Sequence, residues 1–146
     1  MAVKRMDNVL IVVEDLEAVI AFFVELGLEL EGSGPLDWQG AERVVGLTGV
    51  RQDVAMLRVP DGPGRVELAK FHQPKATAPQ PWNAPANTLG IRRMMFAVDD
   101  LEDTLSRLRA HGAELVGEVV RYEDIYLLCY VRGPENIVVG LAEELG

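Results

Sequence analysis

A stretch of twenty residues occurs twice in this chain, and this repetition constrains the fold more than any other feature. Residues 13–32 align with residues 98–117 without a gap, at an offset of 85. Eight aligned pairs are identical, and they fall mainly where a chain changes direction: Val13/Val98, Asp15/Asp100, Leu16/Leu101, Glu17/Glu102, Gly27/Gly112, Glu29/Glu114, Leu30/Leu115 and Gly32/Gly117. Such internal repetition predicts two copies of one supersecondary unit.

Each copy carries the signals of a strand, a capped helix and a second strand. An apolar run typical of a buried strand comes first, VLIVV at 9–13 and MMFAV at 94–98. The repeated aspartate then predicts a helix N-cap, and the repeated glycine predicts the helix end, where a positive φ is needed. The predicted helices cover residues 15–26 and 100–111, and the predicted buried stripe of the first is Val19, Ile20, Phe23 and Leu26.

Further strands complete a βαβββ pattern in each half. The predicted strands of the first half are 6–13, one beginning at 28–30, 52–59 and 65–71; those of the second half are 91–98, 113–121, 125–131 and 137–142. The Gly-rich residues 32–50 predict an irregular loop with at most a short helical turn.

A proline-rich segment separates the two halves. Residues 73–88 contain four prolines and few residues suited to a helix or a central strand. The sequence thus predicts a first module at 1–72, a linker at 73–88 and a second module at 89–146. Because neither half can cover both faces of its sheet, we expect the modules to pack into one domain.

Composition excludes several classes of function. The net charge of −9 argues against a nucleic-acid surface, and no apolar run is long enough to span a bilayer. The N-terminus has no signal-peptide pattern, so we expect a cytoplasmic protein without membrane or nucleic-acid partners. The single cysteine, Cys129, lies in an apolar run and is predicted to be a buried thiol.

The duplicated βαβββ pattern resembles the vicinal oxygen chelate (VOC) superfamily, which includes glyoxalase I, bleomycin-resistance proteins, fosfomycin-resistance enzymes, methylmalonyl-CoA epimerase and extradiol dioxygenases. The resemblance covers roughly residues 5–145 and is carried by NVLIVVEDLEAVIAFFVELGLELEG, MMFAVDDLEDTLSRLRAHGAELVG and CYVRGPENIVVGLAEEL. It implies an α+β fold in which two tandem βαβββ modules form a curved-sheet cavity with the helices outside. In metal-using members, four strands supply the ligands of a divalent cation.

The resemblance assigns these four ligand positions to Asn8, Glu67, Arg93 and Gly140. Only Glu67 is a good ligand, because Arg93 has no lone pair to donate and Gly140 has no side chain. We therefore expect no cofactor, with a divalent metal as the alternative.

Glu67 and Arg93 become the predicted centre of the cavity. Either charge alone is costly in an apolar cavity, so we expect a hydrogen-bonded pair with Asn8 as a further partner. Arg93 would then replace the metal as the positive centre and anchor an anion or carbonyl group. The alternatives are an ion pair that only fills space, or a register shifted by one residue, which would turn every side chain to the other face.

Strand alternation extends the predicted site to apolar and small residues. The predicted ligand-binding residues besides Asn8 are Leu10, Met56, Phe71, Met95, Tyr126 and Gly140, with Leu57, Leu128 and Tyr130 as register-dependent alternatives. Gly140 is expected to leave room in the cavity, and Trp38 and Trp82 lie in loops that would cover its mouth. Ordinary core packing is the alternative for the aromatic and methionine side chains. His72 is expected to face away from the cavity, and His111 to cap a helix end.

Two functions follow from this pattern. The first is a metal-free protein that binds a small organic molecule, as bleomycin-resistance proteins do. The second is a VOC-type lyase, isomerase or dioxygenase, either metal-dependent through Glu67 or metal-free, with Glu67 as a general base and Arg93 stabilising an oxyanion. An interaction module without a ligand is a third class. By analogy with paired-module proteins, we expect a homodimer.

Overall fold

The structure is a computed structural model that describes residues 4–36, 40–79 and 81–146. The chain divides into two units, and the boundary between Thr77 and Ala78 lies inside the predicted linker. Each unit contains a mixed sheet and the predicted long helix, which confirms the α+β class and the duplication. The packing of the modules into one domain stays a prediction. Within the described ranges, no helix is long and apolar enough to cross a membrane.

The first unit is a four-stranded sheet with a long and a short helix. Its elements are β1 (Val9–Val12), α1 (Leu16–Leu26), β2 (Glu29–Pro35), α2 (Ala41–Val45), β3 (Arg51–Arg58) and β4 (Arg65–Gln73). The strand order is β1-β4-β3-β2, in which β1 and β4 are parallel and the other pairs antiparallel. β1 is shorter than predicted, and the segment predicted as a loop instead contributes most of β2.

The second unit repeats this plan, but the edge of its sheet is formed by two short strands instead of one. Its elements are β5 (Met94–Ala97), α3 (Leu101–Arg109), β6 (Glu114–Leu115), β7 (Val120–Tyr122), β8 (Tyr126–Arg132) and β9 (Val138–Glu144), with a 3₁₀ turn at Pro134–Asn136. The strand order is β5-β9-β8-β6, and β7 also pairs with β8. The strand predicted at 113–121 is therefore two short strands. The break follows Leu115, whose counterpart Leu30 precedes a register shift in β2.

The repeated caps form as the sequence predicts. The Asp15 carboxylate accepts a hydrogen bond of 3.1 Å from the Ala18 N–H, and the Asp100 carboxylate accepts one of 3.0 Å from the Asp103 N–H. Gly27 follows α1 with φ of 128°, a conformation that glycine adopts without a Cβ penalty. These local interactions fix where each helix begins and where the first one ends.

Each long helix covers one face of its sheet. α1 packs against β2, β3 and β4, and its buried residues are Val19, Phe22, Phe23 and Leu26. The predicted stripe was wrong in including Ile20 and omitting Phe22, whose ring packs edge-to-face on Phe23 at 5.2 Å. α3 packs in the same way against β8 and β9. Burying one such aliphatic or aromatic side chain contributes about 1.5–3 kcal/mol, so these contacts hold each unit together.

The opposite face of each sheet is less covered, and we call it the open face. Alternation along β1 shows the difference, since Leu10 and Val12 are 49% and 46% exposed while Ile11 is only partly exposed and Val13 is buried. A strand presents successive side chains to opposite faces. Residues that share a face with Leu10 therefore belong to the open face of the first sheet.

Candidate functional site

Strand register places three predicted site residues in one row on the first open face. Glu67 on β4 pairs with Leu10 on β1 and with Met56 on β3, and Met56 pairs in turn with Gly32 on β2. Directly paired residues present their side chains to the same face of a sheet. The register also decides between Met56 and Leu57, because Leu57 has no exposed surface and belongs to the helix-covered side.

Glu67 is a half-buried carboxylate between two apolar neighbours, Leu10 and Met56. It makes no hydrogen bond or ion pair within the described part of the first unit. A carboxylate in such surroundings gains from a partner, because partial burial removes some of its hydration. The predicted pair with Arg93 joins the two units and stays a prediction.

Two other predicted residues lie near this row. Phe71 is four residues beyond Glu67 on β4, pairs with Gln52, and is half-buried. By the alternation of the strand it shares the face of Glu67. Asn8 lies just before β1, is half-buried, and makes no hydrogen bond to the Glu67 carboxylate.

A shallow groove of about 440 Å³ opens beside the Glu67 row. Its lining residues come from β2 and β3, and they are Glu31, Gly32, Ser33, Gly34, Pro35, Val54 and Met56. Gly32 and Gly34 stand two residues apart, so both leave the same face of β2 without a side chain. The groove was not predicted because residues 32–50, which include both glycines, were assigned to a loop; the spacing of two between the glycines was the available signal.

Two ion pairs neutralise the arginines next to the groove. Arg65 contacts Glu31 at 2.6 Å and Arg58 contacts Glu29 at 2.5 Å. The hydrogen bond from Arg65 holds the pKa of Glu31 below its ordinary value. Both arginines are therefore already paired with carboxylates. The Glu67 carboxylate, by contrast, has no ion-pair partner in the described part of the first unit.

The second sheet contains the equivalent row with different side chains. Met95 on β5 pairs with Gly140 on β9, and Gly140 pairs with Tyr130 on β8. Met95 stands 85 residues after Leu10, the same offset as in the sequence repeat. The register thus makes Gly140 the counterpart of Glu67.

The space in front of Gly140 is already filled. A Cβ atom added to Gly140 would lie 2.5 Å from Met95 Sδ and 3.2 Å from Tyr130 Cδ1. The prediction that Gly140 leaves open room in the cavity was therefore wrong. Its missing side chain instead lets Met95 and Tyr130 approach the strand closely.

Arg93 stacks on the aromatic ring of this row. Its guanidinium carbon lies 4.3 Å from the centre of the Tyr130 ring, a cation–π contact. Arg93 is exposed and forms no ion pair with a carboxylate in the described part of the second unit. Tyr126 and Leu128 alternate with Tyr130 along β8, so they lie on the same open face.

The remaining candidates fall outside these rows. His72 bonds to Asp53 at 2.8 Å and alternates with Phe71, so it faces away from the Glu67 side, as predicted. His111 is exposed just after α3, and Trp82 is half-exposed in the loop before β5. Trp38 lies outside the described residues. Cys129 is 3% exposed, and burial raises the pKa of its thiol, which confirms a buried cysteine.

The residues at the four family positions do not fit a divalent cation. They offer one carboxylate, one neutral amide, one guanidinium and one glycine, whereas zinc, iron and nickel sites use several imidazole, thiolate or carboxylate donors. Among the described residues, no group of three or more His, Cys, Asp or Glu side chains is placed to hold a metal ion.

Similar solved structures give the same fold. A glyoxalase family protein from Bacillus cereus is 51% identical, with a TM-score of 0.95 over 100% of this chain and 97% of that one. The fosfomycin resistance protein FosX from Listeria monocytogenes is 14% identical (TM-score 0.66; 99% and 95% of the two chains). TnmS3, an antibiotic binding protein from Streptomyces sp. CB03234, is 16% identical (TM-score 0.62; 99% and 98%).

No curated protein matches the chain. The family model of the Glyoxalase/Bleomycin resistance protein/Dioxygenase superfamily, however, matches residues 5–141, nearly the whole length. With the Bacillus cereus relative, this match shows that the chain belongs to the glyoxalase/bleomycin resistance protein/dioxygenase superfamily.

Proposed function

We propose that this protein binds a small organic molecule on the open faces of its sheets, without a metal, through Glu67 and Arg93. The observation that carries the proposal is the row containing Glu67. A half-buried carboxylate there has apolar neighbours and no partner within the described part of the first unit. A ligand that donates a hydrogen bond would satisfy it and cover Leu10 and Met56 at the same time.

The groove beside this row supports a ligand of modest size. About 440 Å³ lies within the range of small-molecule pockets, and its floor is formed by Val54 and Met56. The charges of Arg58 and Arg65 are already compensated by glutamates. Glu67, in contrast, is a half-buried carboxylate without an ion-pair partner in the described part of the first unit.

The donor chemistry supports binding without a metal. FosX has been solved with manganese(II), so the fold accommodates a divalent cation in that protein. Here Arg93 and Gly140 stand at two family ligand positions and contribute no donor atom. TnmS3 is an antibiotic binding protein of similar fold, so binding is one of the functions that this fold serves.

An enzyme with Glu67 as a general base is the second candidate. The free carboxylate favours it, because a base must be able to accept a proton from its substrate. In that case Arg93 would stabilise the negative charge that develops on the substrate. The homodimer and the cytoplasmic location expected from sequence remain predictions alongside both candidates.

The decisive experiment combines metal analysis with fragment screening by NMR. We expect untagged protein to contain no stoichiometric metal and to show no thermal shift with manganese, nickel, zinc or iron. Fragments that shift the methyl signal of Met56, which pairs with Glu67, should bind at least tenfold more weakly to Glu67→Gln. Glu29→Gln, a change on the same sheet, is the matched control and should bind them normally. Tight metal that is lost in Glu67→Ala would overturn the metal-free proposal.

The same fragments separate binding from catalysis. Recovery of each bound fragment unchanged from wild-type protein supports a binding function. Consumption of a fragment by wild type, abolished in Glu67→Gln although the fragment still binds, would establish the enzyme instead. Glu29→Gln should retain that consumption, because Glu29 is engaged by Arg58.

A further inference from the structure

We infer that the open face of the second sheet selects organic anions with an apolar body, held by the Arg93–Tyr130 stack and by Arg132. This inference rests on the proposed function and names the class of its ligand. It follows from the placement of two arginines, from a difference between the repeated units, and from the apolar rows beside them.

The two arginines flank one row of the second sheet. Arg132 pairs with Val138, and Met94 pairs with Val139, so Arg93 stands level with Val138 on its other side. Both arginines are two residues from members of the Met95–Gly140–Tyr130 row and therefore share its face. Neighbouring strands are about 4.8 Å apart, so two cations rise from backbone positions about 10 Å apart.

Arg132 lacks the carboxylate partner that neutralises its counterpart Arg58 in the first unit. Arg58 and Glu29 lie directly across β3 and β2, and they form an ion pair of 2.5 Å. Arg132 on β8 and Glu114 on β6 form the equivalent cross-strand pair in the second unit. Arg132 instead donates a hydrogen bond of 3.2 Å to the Ala84 carbonyl, and Glu114 makes no ion pair with a described residue.

The second open face therefore keeps its positive charge. Within the described part of the second unit, Arg93 contacts the Tyr130 ring and makes no hydrogen bond, so its N–H donors remain available. Those donors match the two oxygens of a carboxylate. The protein as a whole has a net charge of −9, so a pair of cations without a carboxylate partner in the described part of the second unit is a specific feature of this face.

Apolar rows next to the arginines specify the rest of the ligand. The next two rows across the sheet consist of Met95, Gly140 and Tyr130, then Ala97, Ala142 and Leu128. They extend about 7 Å along the strands, which is the length of a phenyl ring with a short chain. Met95 is 48% exposed, so its flexible side chain can move to cover such a group.

Three probes of nearly equal size test the charge preference: 3-phenylpropionate, 3-phenylpropanamide and 3-phenylpropylamine. Binding is measured by calorimetry and by the Met95 methyl signal in the full chain. We expect the anion to bind at least tenfold more tightly than the amide, and the amine to bind more weakly still. Added salt should weaken binding of the anion more than binding of the amide, because salt screens charges.

Variants identify the groups responsible. Arg93→Met should weaken 3-phenylpropionate at least tenfold and remove its advantage over the amide, and Arg132→Met should weaken it severalfold. Arg93→Lys keeps the charge but loses the bidentate geometry of the guanidinium, so its affinity for 3-phenylpropionate should lie between those of the wild type and Arg93→Met. Arg58→Met is the matched control, since Arg58 is the counterpart of Arg132 in the first unit, and it should leave the affinity for 3-phenylpropionate unchanged. Arg93 is exposed, so its variants should fold, as circular dichroism would verify.

Equal binding of the anion and the amide, or full anion affinity in Arg93→Met, would overturn this inference. A ligand found by fragment screening that requires Glu67 but carries no negative charge would overturn it while leaving the proposed function intact. Absence of any small-molecule ligand across the screen would overturn both. Loss of affinity in Arg93→Met with retention in Arg58→Met would support it.

Discussion

Gly140 offers a quantitative test of how the second open face is packed. Alanine at this position would place its Cβ 2.5 Å from Met95 Sδ, about 1 Å inside ordinary contact. Met95 lies on an edge strand and is already 48% exposed, so its thioether can swing toward solvent. Moving it away forfeits at most half of the about 1.5–3 kcal/mol that full burial provides.

A compensating gain makes the expected net change small. Gly140 does not have a left-handed φ, so alanine fits its backbone and reduces the freedom of the unfolded chain. That effect stabilises by about 0.4–1 kcal/mol. We therefore expect Gly140→Ala to lower the free energy of unfolding by less than about 1 kcal/mol, measured by urea denaturation followed by circular dichroism.

Two control glycines separate the effect of the space around an added Cβ from the effect of the backbone conformation. Gly32 has no atom within 4 Å of an added Cβ and no positive φ, so Gly32→Ala should not destabilise the protein. Gly112 also has open space but a φ of +85°, so Gly112→Ala should cost about 1–2 kcal/mol. A comparable loss in all three variants would show that contact with Met95 is irrelevant.

A double variant tests the role of Met95 directly. In Met95→Ala the thioether is absent, so adding Gly140→Ala should then only stabilise the protein, by reducing the freedom of the unfolded chain. The two changes should couple by at least about 0.5 kcal/mol, as expected for residues in contact. A loss above about 2 kcal/mol in Gly140→Ala that persists in the double variant would refute the reasoning, because it would place the obstruction at Tyr130 or at the backbone.

Three further predictions concern the scaffold around the site. Asp15→Ala and Asp100→Ala should each cost about 1 kcal/mol in urea denaturation, and a neutral result for either would contradict its capping role. Cys129 should react with a thiol reagent at pH 7 far more slowly in folded than in unfolded protein, because burial raises its pKa; equal rates would contradict its burial. NMR titration should place the pKa of Glu31 below the ordinary glutamate value, and Arg65→Met should raise it. Since this pKa is lowered by folding, the pair stabilises above the unfolded pKa and loses its effect as pH falls through the folded value; no response to Arg65→Met would exclude the pair in solution.

Local signals in the sequence predicted the elements whose causes are local. A cap such as Asp15 bonds to an N–H three residues away, and Gly27 adopts its conformation next to the helix it ends. Both interactions are contained within a short window, so the repeat revealed the first helix with its correct cap and end. Elements that depend on distant partners were predicted less well. β1 begins at Val9 because its pairing with β4 begins at Val66, which no pattern in residues 6–13 specifies.

The faces on which the candidate residues lie were partly predictable, but their packing was not. Alternation placed Leu10 on the face that the resemblance assigned to Asn8 and Glu67, yet it left Met56 and Leu57 equivalent until the pairing of β3 with β4 decided between them. Gly140 shows a second limit, because a missing side chain does not reveal which neighbour fills its space. Met95 fills it from another strand, and only the three-dimensional arrangement brings the two together.

The two repeats keep their scaffold and differ on their open faces. The identical pairs include the caps and the helix-ending glycines, which determine the path of the chain. The open-face counterparts Leu10 and Met95 differ, and Glu67 is replaced in the second unit by Gly140. Because the open-face side chains contribute little to the packing under the helices, they can vary in chemistry without changing the fold. One scaffold thus presents the Glu67 carboxylate on one sheet and the Arg93 guanidinium on the other, so the two open faces differ in charge although the scaffold beneath them is repeated.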